Sequence, residues 1–122
     1  MILVDTSIWI DHLKRGDLGL IQLLNASQVL VHRFVIGELA LGNLRQRDIV
    51  LGSLQGLPQA VMATDDEVVS FIGRHALFGS GMGYIDAHLL AAVKLSASAL
   101  LWTRDKRLRA AAARLGLSVS YT

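Results

Sequence analysis

The chain has no cysteine and only one proline, Pro58. The first absence rules out a disulfide framework and any thiolate site, and it fits a reducing cytoplasm. The second leaves little with which to build a linker. Charged residues make up only 18% and aromatic residues 6% of the sequence. No apolar run approaches the roughly 20 residues needed to cross a bilayer, and the N-terminus lacks the basic segment and long apolar core of a secretory signal. A soluble, cytoplasmic protein is expected.

What is present is mostly apolar. In 122 residues, 52% are hydrophobic and the mean hydropathy is +0.46. A chain of this length forms one domain, 1–122, and buries about 65% of the surface its unfolded form exposes. So much apolar material in so small a body implies that some lies in a protein interface. Net charge is +2 and the pI is near 9.4, a bias that permits an anionic partner without requiring one. Its distribution is more informative, because Arg104, Lys106, Arg107, Arg109 and Arg114 fall within eleven residues.

Short, wholly apolar runs recur at Ile2 to Val4, Val29 to Val31, Ala60 to Ala63 and Ala99 to Trp102. Strands buried on both faces read this way, as in parallel sheets. Between them stand segments of helical spacing: Ser7 to Arg15, Leu18 to Ala26, Phe34 to Leu44, Asp48 to Leu54, Asp65 to Phe78, Tyr84 to Leu95 and Lys106 to Leu115. The alternation predicts an α/β domain with a mostly parallel sheet of four to five strands and helices on both faces. The final LSVSY alternates and reads as an edge strand, and GSGMG at 79 to 83 reads as a mobile connection.

In such a sheet the ligand crevice lies at the carboxyl ends of the strands, so the ten acids can be sorted by position. Thr64 and Glu67 form a capping box, with Asp65 and Asp66 in the first turn where the helix dipole favours negative charge. Asp17 can cap the next helix. Asp11 has Lys14 and Arg15 at helical neighbour spacing, and Asp48 follows Arg45 and Arg47, so both read as solvated surface charges. Four acids remain. Asp5 and Asp105 each end an apolar strand and could be helix N-caps or site residues. Glu38 shares a helix face with Phe34, Val35 and Leu41, where a free carboxylate would be poorly hydrated. Asp86 shares its side of a helix with Leu89, Leu90 and Val93, or is simply a first-turn charge.

Together these four acids say more than any one of them. If they converge they repel, raising some pKa values at a cost in stability. A hard divalent cation with oxygen ligands, Mg²⁺ or Mn²⁺, resolves the conflict.

DTSIWI at the start, a glutamate inside an apolar helix, YIDAHLLAA, and LLWTRDKRL near the end together resemble the PIN-domain ribonucleases, in particular the VapC toxins of bacterial toxin–antitoxin modules. The resemblance spans essentially the whole chain. It implies a Mg²⁺- or Mn²⁺-dependent endoribonuclease that cuts structured RNA such as tRNA or rRNA. It also implies a homodimer and a partner antitoxin whose tail covers the active site. Carried over by motif, Asp5, Glu38, Asp86 and Asp105 are the catalytic, metal-holding acids, with Asp105 either a ligand or an acid that orients water.

Ser7 and Thr103 would orient these carboxylates, or are plain helix-start and strand-end hydroxyls. Arg104, Lys106, Arg107 and Arg109 would hold flanking phosphates, or form a solvated helix face. Leu39, Leu41, Leu44, Val50, Leu51 and Leu54 are assigned to the antitoxin or dimer interface, with a plain core as the alternative. Trp9 and Trp102 are expected to be buried beside the sheet, and none of the four histidines has the spacing of a ligand pair.

Two other readings differ in chemistry. A metal-dependent phosphatase of similar build usually carries a second acid beside the strand-tip aspartate, where this chain has Thr6 and Ser7. A non-catalytic RNA- or protein-binding module is disfavoured because bare carboxylates repel phosphate.

Overall fold

Three of the apolar runs form strands: β1 (Ile2–Val4), β2 (Val29–Leu30) and β3 (Leu100–Trp102). A computed structural model of the chain describes residues 1–119. The strands pair in the order β2-β1-β3, all parallel. Val4 stands opposite Trp102, and Leu3 opposite both Leu30 and Leu101. Consecutive residues of a strand point to opposite faces. Since Leu3, Val4, Val29, Val31, Leu101 and Trp102 are all buried, both faces of the sheet are covered.

The sheet is narrower in named strands than its sequence suggests. Just before the Ala60 to Ala63 run, Gln59 makes one parallel bridge to Val31, with Ala60 N–H donating to the Val31 carbonyl at 2.9 Å. Ladder growth stops there because His32 already caps the next helix, so residues 60–63 have no strand left to pair with. On the other edge Ser118 bridges to Leu101. The rest of LSVSY, Ser120 and Tyr121, lies outside the described residues.

Among the described residues seven helices connect and cover the strands: α1 (Thr6–Arg15), α2 (Leu18–Asn25), α3 (Arg33–Ala40), α4 (Arg47–Gln55), α5 (Asp65–Arg74), α6 (Tyr84–Leu95) and α7 (Lys106–Arg114). Their starts follow from local chemistry. Thr64 and Glu67 complete the capping box of α5, and Asp17 accepts from Leu20 N–H at the start of α2. Two helices end sooner than their apolar spacing predicts. α3 stops at Ala40, before Gly42, and α5 stops at Arg74, before Ala76 takes φ +52°. Among the described residues no helix is long and apolar enough to cross a membrane.

Trp9 and Trp102 are core residues. Of the six residues along α3 and α4 assigned to an interface, five are not free surface. Leu39 and Leu54 are buried in the core, and Leu44, Val50 and Leu51 are half-buried against it. These two helices pack on each other and α3 packs on α1, which turns those side chains inward. Leu41 alone of the set is open, at 91% exposure.

The chain leaves β1 for β2 on one side and later for β3 on the other. The carboxyl end of β1 is therefore the topological switch point of the sheet, where α/β crevices form. Truncation of Leu3, in the central strand, to alanine is expected to cost about 3 kcal/mol in urea unfolding. Leu41→Ala is expected to stay within about 0.5 kcal/mol. Equal losses would contradict this division between core and surface.

Candidate active site

The residue after each paired strand end carries the site. Asp5 N–H donates to the Trp102 carbonyl at 3.0 Å, extending the β1–β3 ladder by one step and placing Asp5 beside Thr103. Asp5 occupies the N-cap position of α1, yet its side chain caps nothing. Instead Oδ2 accepts from Thr103 Oγ1 at 2.6 Å and from Ser7 Oγ at 3.0 Å. The carboxylate is only 5% exposed. Both hydroxyls act on one oxygen, so Oδ1 has no donor among the described residues.

Each hydroxyl is itself fixed. Thr103 Oγ1 accepts from Asp105 N–H at 3.0 Å, and Ser7 Oγ accepts from Arg104 N–H at 3.2 Å. Arg109 reaches back to the Thr103 carbonyl with Nε and Nη2 at 3.4 and 3.3 Å.

Asp105 does cap a helix. Its Oδ1 accepts from Leu108 N–H at 2.9 Å, which leaves Oδ2 free. Glu38 differs from its sequence expectation in being exposed. Its helix face is not closed over, because its neighbour Leu41 points to solvent. Even so Glu38 is held, through Oε1, by Thr6 Oγ1 at 2.7 Å. Asp86, in the first turn of α6, is half-buried and accepts no hydrogen bond from a described residue.

The four acids share one electrostatic field. Burial first, then the charges of Asp5, Asp105 and Glu38 in that order, push the Asp86 carboxyl up from 3.8 to about 6. Among the described residues no three acidic or histidine side chains are gathered closely enough to hold an ion as they stand. The donor set nonetheless fits a hard, hydrated cation. All its free atoms are carboxylate oxygens, and Mg²⁺ keeps several waters and is commonly gripped by one or two carboxylates.

The basic residues expected at phosphates are mostly engaged within the chain. Arg104 pairs through Nη1 with Asp11 and through Nη2 with Asp17 at 3.0 Å, so Asp11 answers Arg104 rather than Lys14 or Arg15. Arg107 donates to the Gly81 carbonyl at 3.2 Å and Arg109 to that of Thr103. Lys106 has no partner among the described residues.

Sequence reasoning missed Thr6, whose partner Glu38 lies 32 residues away with no local signal to join them. It also passed over a buried histidine pair. His32 Nδ1 accepts from Phe34 N–H at 2.9 Å, and burial, with the positive charges of His88 and Arg33, pushes its pKa down to about 4. His88 Nε2 donates to Asp65 Oδ1 at 3.1 Å, the same oxygen that accepts from Tyr84 OH at 2.9 Å. Tyr84 and His88 are four apart on α6, a spacing that was legible; Asp65 was not. These contacts tie α6, which carries Asp86, to the start of α5.

The PIN domain family model matches residues 2–114. The chain is 50% identical over 120 residues to a protein named ribonuclease VapC32 from Mycobacterium tuberculosis, in strains CDC 1551 / Oshkosh and ATCC 25618 / H37Rv. The match covers 98% of this chain and 97% of that protein.

The raised Asp86 pKa predicts a pH-dependent stability cost. Between about pH 4 and 6 the unfolded chain releases a proton that the folded chain keeps, so metal-free stability falls as pH rises through that window. Asp86→Asn removes the decline. Solvent screening holds the effect to about 1 kcal/mol, or roughly 5 °C in Tm. The variant and the parent should therefore melt together at pH 4 and separate by that amount at pH 7 in EDTA. A gap that does not change with pH contradicts the shared field.

Proposed function

The chain belongs to the PIN-domain family, and on that premise we propose that it is an endoribonuclease, the toxin half of a toxin–antitoxin pair, that hydrolyses structured RNA such as tRNA or rRNA in the cytoplasm. The observation that carries the reading is the Asp86 carboxyl, raised to about 6 by burial and by Asp5, Asp105 and Glu38. A stability-driven sequence gains nothing from such crowding. The name of the relative, a ribonuclease at 50% identity, supports the same chemistry.

The cofactor of this reading is Mg²⁺ or Mn²⁺, held by Asp5, Glu38 and Asp86 with Asp105 as ligand or water-orienting acid. When bound, the cation supplies charge neutralisation at the phosphodiester and a lowered pKa for attacking water. The chain supplies the orientation. Ser7 and Thr103 fix Asp5 through one oxygen and leave the other presented. Thr6 does the same for Glu38, and the first turn of α7 does so for Asp105.

Lys106 has no partner among the described residues, and Arg107 and Arg109 retain donors beyond their carbonyl contacts, so these three take flanking phosphates. Arg104, committed to Asp11 and Asp17, braces α1 and α2 against the strand end. A second copy of the chain and an antitoxin are the protein partners, with exposed Leu41 and Ile49 as apolar surface available to them.

Purified protein incubated with total RNA and Mg²⁺ should give discrete fragments. Asp86→Asn should slow cleavage about a hundredfold or more with its far-UV spectrum unchanged. Cleavage that continues in EDTA, or at parental rate in the variant, overturns the proposal.

A further inference from the structure

The segment that leads into α6, from Ser80 to Gly83, has few ties. Leu77 is buried at its start and Met82 packs on the core, while Phe78 stands 70% exposed between them. Within the segment, Met82 N–H donates locally to Ser80 Oγ. Its ends are tied to the neighbouring chain, Ser80 N–H to the Leu77 carbonyl at 3.4 Å and the Gly83 carbonyl to Ala87 N–H of α6 at 3.1 Å; among the described residues its one hydrogen bond to an element distant in sequence comes from the side chain of Arg107, whose Nη1 reaches the Gly81 carbonyl at 3.2 Å.

The contact is broad as well as polar. A Cβ built on Gly81 would stand 3.1 Å from Cζ and Nη1 of Arg107 and 3.2 Å from Nε. Three guanidinium atoms are thus nearly equidistant from that point, as when the planar group lies flat against the backbone. Gly81 also has φ +80°, so a side chain there is strained by conformation and would push the Arg107 guanidinium away by a few tenths of an ångström.

Arg107 sits where a cation is unfavourable. The first turn of α7 holds Lys106 and Arg107 and no acid, against the helix dipole. Arg107 makes no ion pair with a described residue, so no carboxylate explains its position. It links the two halves of the acid cluster: it lies two residues after Asp105, and the loop it grips ends at Gly83, three residues before Asp86.

We infer that Arg107 is a positioning residue, clamping the Gly81 backbone and thereby fixing where α6 begins and where Asp86 is presented relative to Asp105. Its relevance to cleavage rests on the nuclease reading; the clamp itself does not. Arginine suits the task because its planar fork covers a peptide face while donating in plane, which an ammonium cannot do.

The test uses the full chain, comparing the parent with Arg107→Ala, Arg107→Lys and Gly81→Ala. In metal-free protein, amide hydrogen exchange across 80–87 should rise about tenfold in Arg107→Ala and Gly81→Ala, with amides of β1 and α1 unchanged. Mn²⁺ affinity, followed by electron paramagnetic resonance, should fall about tenfold in the same two variants, the size of loss seen when support for a ligand is removed. Arg107→Lys should recover only part of either effect.

Unchanged exchange in Arg107→Ala overturns the clamp and leaves Arg107 with its phosphate role alone, visible only as a raised KM for RNA. Exchange that rises equally throughout the molecule also overturns it, in favour of general destabilisation. Failure of the parent to bind Mn²⁺ would defeat the nuclease reading, while the exchange data would still decide the clamp.

Discussion

Residues 5 and 103 meet through one hydrogen bond, from Thr103 Oγ1 to Asp5 Oδ2 at 2.6 Å. It depends on the parallel register that sets Val4 opposite Trp102, so that the first residue beyond each strand stands next to the other. Most of the site is built on this junction. Thr103 also accepts from the backbone of Asp105, which starts α7, while Ser7 in the first turn of α1 holds the same oxygen of Asp5. Strand pairing, two helix starts and a buried carboxylate are therefore one arrangement. A loss of register would move all of them together.

The carboxylate of Asp86, raised by burial and by the charges of Asp5, Asp105 and Glu38, works against the fold. A buried acid is ordinarily neutralised by an ion pair, but here the nearest engaged cations are directed elsewhere: Arg104 to Asp11 and Asp17, Arg107 to a carbonyl, Arg109 to another. The acids are instead held by hydroxyl and backbone donors, which fix one oxygen of a carboxylate without cancelling its charge. Among the described residues no donor meets one oxygen each of Asp5, Glu38 and Asp105, or either oxygen of Asp86. Local instability of this kind is characteristic of sites whose stability is completed by a ligand.

Much of the architecture was legible. The apolar runs marked the strands because parallel strands covered on both faces need no alternation. Seven helices followed from spacing, and Thr64 with Glu67, and Asp17, marked starts through local donors and acceptors. The roles of Asp5 and Asp105 were not separable from sequence, since both are strand-end acids before helices. Asp105 caps and Asp5 does not, because Asp5 has Thr103 across the ladder and a stronger donor there than its own helix N–H groups. The face that Glu38 shares with Leu41 was read as poorly hydrated and is open, and Leu39 and Leu54, assigned to an interface, took their alternative as core, because helical spacing gives a stripe but not the direction in which neighbouring helices close on it.

The sequence by itself determined the alternation of elements, the caps that start several helices, and the choice of four acids left unexplained by local structure. Each depends on neighbours a few residues apart, whose geometry the backbone fixes. Only the tertiary structure decided that residues 5, 38, 86 and 105 share one field, that Thr6 holds Glu38, and that Arg107 lies on Gly81. Those contacts join residues tens of positions apart, brought together by strand register and helix packing that no short-range pattern specifies.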